Sequence, residues 1–227
     1  MATPADPTQG SQSKAKTITI DPNGDRQLFV HGPKGSDGSR SLIKFTVCTE
    51  ALVNQCGLDG YFRKSIRFNE VNGHSKIELK GDNECAMTVW LMYMHYEHNK
   101  KANQGEVDKD EDESGQNTMF ARLDFAKLVT MSILWHIINA GDKYLFDGTI
   151  LQGFFHRWYT AHSNLDKAGL DFARALALPC LVFDHAEGFA AVTRWLVYNA
   201  TGHITESRPP GFKWKHVHLA PADFVGT

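Results

Sequence analysis

Two pairs of histidines come nearest, by type and spacing, to metal chemistry. His95 and His98 stand three apart in a stretch with helical periodicity, so they share a helix face. His216 and His218 alternate on a predicted strand and point to one side of it. A structural zinc site takes four ligands, and neither pair is joined by a Glu-x-x-His, an HExxH or paired cysteines. The four cysteines are Cys48, Cys56, Cys85 and Cys180. They form no CxxC, and three fall in predicted apolar elements, where a thiol behaves as a small hydrophobe. Reduced thiols and no metal are therefore expected. A nucleophile is equally hard to find, because there is no GxSxG. Gly32, Gly35 and Gly38 are evenly spaced but open no helix, so they make no phosphate-binding loop. Neither catalysis nor a cofactor is expected.

The elements that remain to be positioned are those of a binding protein. Thr17–Ile20 reads as a short strand before the Asp21–Pro22–Asn23–Gly24 turn. Leu28–Val30 and Leu42–Val47 read as a hairpin, with His31–Ser41 as its long tip. A helix start at Thr49, an apolar cluster at Tyr61, Phe62 and Ile66, and a strand Ile77–Leu79 follow. Asp82 or Asn83 caps a helix whose Met87, Trp90, Leu91 and Met94 share one face. Met131, Leu134 and Ile138, with Val129, Ile133 and Ile137 beside them, give the next long helix a wide apolar face. Leu151, Phe154, Phe155 and Trp158 repeat the spacing in another. Asp171–Leu178 is expected to stop at Pro179. Asp184 and Glu187 form a D-x-x-E capping box for a helix carrying Phe189, Val192, Trp195 and Leu196. Val217–Leu219 reads as a last strand.

Charge and composition narrow the class further. The 227 residues carry 24 basic and 26 acidic side chains, for a formal charge of −2. That balance argues against a nucleic-acid surface, which needs clustered cations. No run approaches the ~18 apolar residues of a membrane span. The start MATPADPTQGSQSK lacks the apolar centre of a signal peptide, so cytoplasm or nucleus is the expected compartment. Residues 1–16 read as a disordered tail, and 99–118, with its KDEDES run, as a flexible acidic insertion.

Several short patterns together resemble one family. Val47–Cys48, Leu52, Gly57, Tyr61–Phe62 and Ile77–Glu78–Leu79–Lys80–Gly81–Asp82 resemble the strand–helix–helix–strand unit of BTB/POZ domains. Asn139–Ala140–Gly141–Asp142–Lys143–Tyr144 is similar to the "ADKY" that closes a helix of that family. The F-x-x-V-T-R-W-L helix and a late H-L-x-P are similar to fungal BTB proteins with a helical extension. The resemblance implies a mostly helical α+β fold, with a BTB-like domain over 17–165 and a C-terminal helical extension over 166–227. It implies a protein–protein interaction role with homodimerisation, for which Leu28, Phe29, Val30, Thr49, Leu52 and Val53 are the interface residues. It also raises a cullin-dependent ubiquitin ligase adaptor, because Phe68 and Glu70 occupy the place of a hydrophobic-x-Glu motif following the "YF" helix. A third alternative is a transcription-linked scaffold using the acidic insertion.

Overall fold

The computed structural model describes residues 16–34, 38, 40–57, 60–71, 76–103 and 125–218. The fold is α+β and mostly helical. Four strands, β1 (Lys16–Thr19), β2 (Arg26–Lys34), β3 (Arg40–Val47) and β4 (Lys76–Lys80), form one mixed sheet in the order β1-β3-β2-β4. β2 and β3 are the antiparallel hairpin, while β1 runs parallel to β3 and β4 parallel to β2. Alternation decides which face is buried: Leu28 and Val30, Ile43, Phe45 and Val47, and Ile77 and Leu79 all point inward. Register places Leu28 between Phe45 and Ile77, and Val30 between Ile43 and Leu79, so the inward side chains stack in rows across the sheet.

Nine α-helices are present among the described residues. They are α1 (Thr49–Asn54), α2 (Tyr61–Val71), α3 (Glu84–Asn103), α4 (Phe125–Leu128), α5 (Met131–Tyr144), α6 (Gln152–His162), α7 (Leu165–Ala168), α8 (Leu170–Val182) and α9 (Ala186–Asn199). α3 is the central element. Asn83 caps it by accepting from the Ala86 N–H at 3.0 Å. Nine of the ten residues from Ala86 to His95 are buried, more than one face can hold, so other elements cover this helix on every side. Three buried tryptophans each place the indole N–H on a backbone carbonyl: Trp90 on Ile137, Trp135 on Ala175 and Trp158 on Val129. Each indole thus gains packing area without an unpaired donor. α8, α9 and the segment around Phe212 and Val217 share the same continuous core as the sheet and α3. Residues 166–218 are therefore built into the body of the fold.

Several expectations are corrected. β2 continues through His31–Lys34, where a register irregularity precedes Lys34, so the hairpin tip is shorter than 31–41. α3 runs on to Asn103, past the expected break at Asn99. Pro179 lies inside α8 and does not stop it. Proline at this position strips the Ala175 carbonyl of its helical donor, and the Trp135 indole fills the vacancy at 2.9 Å. The cap of α9 is His185, whose Nδ1 accepts from the Gly188 N–H at 2.9 Å, while Asp184 sits at φ 52° as the turn residue before it. Val217 and His218 form a bend and no strand. Lys16, the last residue of the expected tail 1–16, opens β1. Leu219, residues 1–15 of that tail, and the acidic residues 104–118 lie outside the described residues.

Candidate functional site

The sequence patterns that were separate along the chain meet in space. Asp82, at the end of the Ile77–Asp82 pattern, is buried and accepts from the Tyr144 hydroxyl at 2.6 Å. It also takes the Lys143 ammonium on both oxygens, at 2.9 and 3.0 Å. Burial and the Asp82 carboxylate push the Tyr144 phenol far above its ordinary value, so Tyr144 acts as a permanent donor. The Tyr144 ring lies 5.4 Å from that of Tyr61 and 5.3 Å from that of Phe62, and Phe146 bridges Phe62 to Trp90. The 'YF', 'IELKGD' and 'GDKY' stretches thus form one aromatic cluster around one polar lock.

Beside this cluster a groove of about 480 Å³ opens between α1 and α2. Asp25, Cys48, Thr49, Glu50 and Val53 line one side, and Arg63, Ile66 and Arg67 line the other. The acidic wall is fixed by local bonding. Asp25 accepts from the Thr49 N–H at 2.7 Å, which satisfies a free donor in the first turn of α1. Arg26 donates Nε to the Thr49 hydroxyl at 3.2 Å. Burial alone would raise the Asp25 carboxyl; the Thr49 hydrogen bonds and the nearby Arg26 outweigh it and hold the group below the usual carboxylate value. The basic wall comes from helical spacing, since Arg63 and Arg67 are one turn apart on α2. Arg63 also reaches back across the groove to the Val53 carbonyl at 3.1 Å.

His95 supports the floor. Its Nε2 accepts from the Cys48 N–H at 2.8 Å, which requires Nδ1 to carry the proton and donate to the Leu91 carbonyl at 2.7 Å. Both ring nitrogens are used, so His95 is unavailable to a metal shared with His98. Burial holds its pKa below the ordinary imidazole value. Among the described residues no three His, Cys, Asp or Glu side chains are grouped as a metal site. Two thiols, Cys56 and Cys180, are buried and pushed up to about 12 by desolvation, whereas Cys48 is half-buried and Cys85 exposed. All four are free. No helix among the described residues is long and apolar enough to cross a membrane.

The expected interface residues divide. Leu28, Val30 and Leu52 are completely buried in the chain's own core, which removes them from any contact with a partner in this conformation. Alternation explains the strand pair, because Phe29 alone of the three points away from the core. Phe29 is half-buried, with the Lys76 ammonium 5.7 Å from its ring centre. Thr49 and Val53 line the groove. Phe68 and Glu70 lie within α2, where a position after that helix was expected, and their side chains lie outside the described residues. Arg63, Arg67, Asp25 and Glu50 were missed. The Arg-Lys-x-x-Arg spacing from Arg63 to Arg67 was the available signal, but only the fold reveals the acidic wall facing it. No family model matches the chain, and no curated protein or solved structure matches it either.

Proposed function

We propose that this chain is a protein–protein interaction domain that pairs with a second copy of itself through the groove between α1 and α2, and from that dimer recruits a further protein. One observation carries this reading: the groove has an acidic wall (Asp25, Glu50) and a basic wall (Arg63, Arg67). A two-fold axis places each wall against its opposite on the other copy, so such a surface is complementary to itself. Thr49, Val53 and Ile66 supply the apolar floor. The BTB/POZ resemblance is supported by the strand–helix–helix–strand run from β3 to β4, by the return of β4 to the hairpin, and by the convergence of the three sequence patterns on Asp82 and Tyr144.

Sedimentation at micromolar protein tests the pairing. Arg67→Glu and Glu50→Arg, made singly, set like charges face to face and weaken the dimer by about tenfold or more. The double variant restores it. A chain that is monomeric at about 100 μM, or a double variant no tighter than either single one, overturns the proposal.

The cullin-adaptor alternative has a geometric point in its favour: Phe68–Asn69–Glu70 continues α2 directly beyond Arg67, so a cullin held there would sit beside the same groove. Binding to a cullin N-terminal region at about 1 μM or tighter, lost in Phe68→Ala, supports it. Binding that survives Phe68→Ala removes it.

A further inference from the structure

A second recess borders the aromatic cluster at Trp90 and Phe146. It is a cleft of about 400 Å³, within the range of small-molecule sites. Its apolar walls include Trp90, Phe146, Phe183, Leu178 and Val217, and its mouth carries Asp142, His216 and His218. Two helices end at it. α5 contributes Ile138 and, in its last turn, Gly141 and Asp142; α8 contributes Leu178 and its final residue, Val182. Each C-terminus brings the negative end of a helix dipole, worth roughly half an elementary charge. Lys143, the basic side chain in the last turn of α5, is turned away to Asp82, and α8 has no basic residue in its last turn. Asp142 is largely exposed, and its carboxylate lies 3.7 Å from His216, which offsets that charge only when protonated.

The two helix ends are closed in the same unusual way. Phe146 donates to the Gly141 carbonyl and Leu145 to that of Asp142; His185 donates to the Cys180 carbonyl and Asp184 to that of Leu181. Both are Schellman closures, which ordinarily place glycine at the left-handed position. Here Leu145 (φ 54°) and Asp184 (φ 52°) occupy it, and they are the only non-glycine residues with positive φ among those described. A leucine there holds a strained backbone conformation. Leu145 does not recover that by burial, since 48% of it is exposed at the cleft. Val182, also on the wall, is 42% exposed.

We propose that this cleft binds a small organic cation: an amine with an apolar, aromatic-sized body. The body would lie between the half-exposed Leu145 and Val182, over a base formed by the nearly buried Trp90, Phe146 and Phe183. The ammonium would sit at the mouth, between Asp142 and the two helix C-termini, where carboxylate and dipoles favour positive charge. The charge complementarity of the site selects this class over an anion or a neutral hydrophobe. The cleft shares no lining residue with the α1–α2 groove, so this inference does not depend on the dimer.

Calorimetric titration of the full chain with 4-phenylbutylamine, 4-phenylbutanol and 4-phenylbutyrate tests it, at about pH 8, where free imidazole is neutral. The expected order is amine tightest, alcohol at least about tenfold weaker, and carboxylate weakest. Asp142→Asn should bring the amine down to the level of the alcohol. Leu145→Gly should weaken both amine and alcohol several-fold while circular dichroism is unchanged and the fold is no less stable. Three results overturn the proposal: an alcohol or carboxylate that binds as well as the amine, an Asp142→Asn variant that binds the amine undiminished, or no heat from any probe up to about 1 mM. The last would mean that the cleft is closed in solution, by the chain itself or otherwise.

Discussion

The α1–α2 groove and the cleft at the ends of α5 and α8 are similar in size but opposite in construction. The groove sets two acids across from two arginines, with Val53 and Ile66 between them. The cleft has aromatic walls, one carboxylate and two helix ends of the same sign. A surface bearing both signs matches its own copy, whereas a recess whose carboxylate and helix ends share one sign matches a small cation. Wall composition, and not volume, therefore assigns each recess its class of partner. Between them stands the Asp82–Tyr144–Lys143 lock: Tyr144 packs on Phe62, next in sequence to Arg63 of the groove, and precedes Leu145 of the cleft.

Removing that lock gives the largest effect and asks whether the two recesses are mechanically separate. Asp82→Ala leaves the Tyr144 hydroxyl buried without its acceptor, while Lys143, 40% exposed, escapes to water. The expected cost is about 3 kcal/mol by urea unfolding, with dimerisation and amine binding weakened together. A cost below about 1 kcal/mol would mean that the two sides are held independently.

Gly141→Ala sharpens the comparison by acting on the cleft alone. A Cβ there would come within 2.8 Å of Trp90 Cζ2, and the Trp90 indole is tied to the Ile137 carbonyl and cannot swing clear. A loss of about 2 kcal/mol and altered tryptophan fluorescence are expected, with the dimer retained. Unchanged fluorescence would contradict this packing.

pH acts on the shared scaffold by another route. His95 beneath the groove has its pKa lowered by burial, and so does His136 on α5. The unfolded chain therefore takes up protons first as pH falls. The stability these neutral imidazoles contribute is complete above about pH 6.5 and is lost as pH drops from there through their lowered folded values. His95→Gln should flatten the fall in urea midpoint between about pH 7 and about pH 5; a variant that loses stability as steeply as the parent would discount His95 as a contributor.

The smallest effect is a gain. Leu145→Gly relieves the left-handed strain and should raise stability by somewhat under 1 kcal/mol while loosening the cleft. A destabilised Leu145→Gly would show that the leucine side chain supports the fold itself.

Local rules in the sequence accounted for most of the scaffold. Period-2 alternation identified the inward faces at Leu28 and Val30 and at Ile77 and Leu79, and helical spacing identified Trp90 and Met94, Phe154 and Trp158 as core. Asn83 was readable as a cap because its bond is three residues away. The errors lie where a distant partner overrides a local rule. Pro179 reads as a stop until Trp135, forty residues upstream, satisfies the carbonyl it frees. His185 was passed over as a cap because the oxygen-bearing Asp184 precedes it, and the backbone at Asp184 turns left-handed instead. The groove was half legible: Thr49 and Val53 were named, but Arg63 and Arg67 become a site only once α2 lies against α1 and Asp25 is brought to Thr49 from a different part of the chain.

The Pro179–Trp135 arrangement also bears on the order of synthesis. Trp135 leaves the ribosome before the carbonyl it will serve has been made. An emerging segment 170–182 holds one carbonyl, that of Ala175, which its own ladder leaves to water, and burying it without loss requires the Trp135 indole of α5. The donor for α8 is thus made before α8 itself, and a defect at position 135 would be felt by a helix that had not yet been translated.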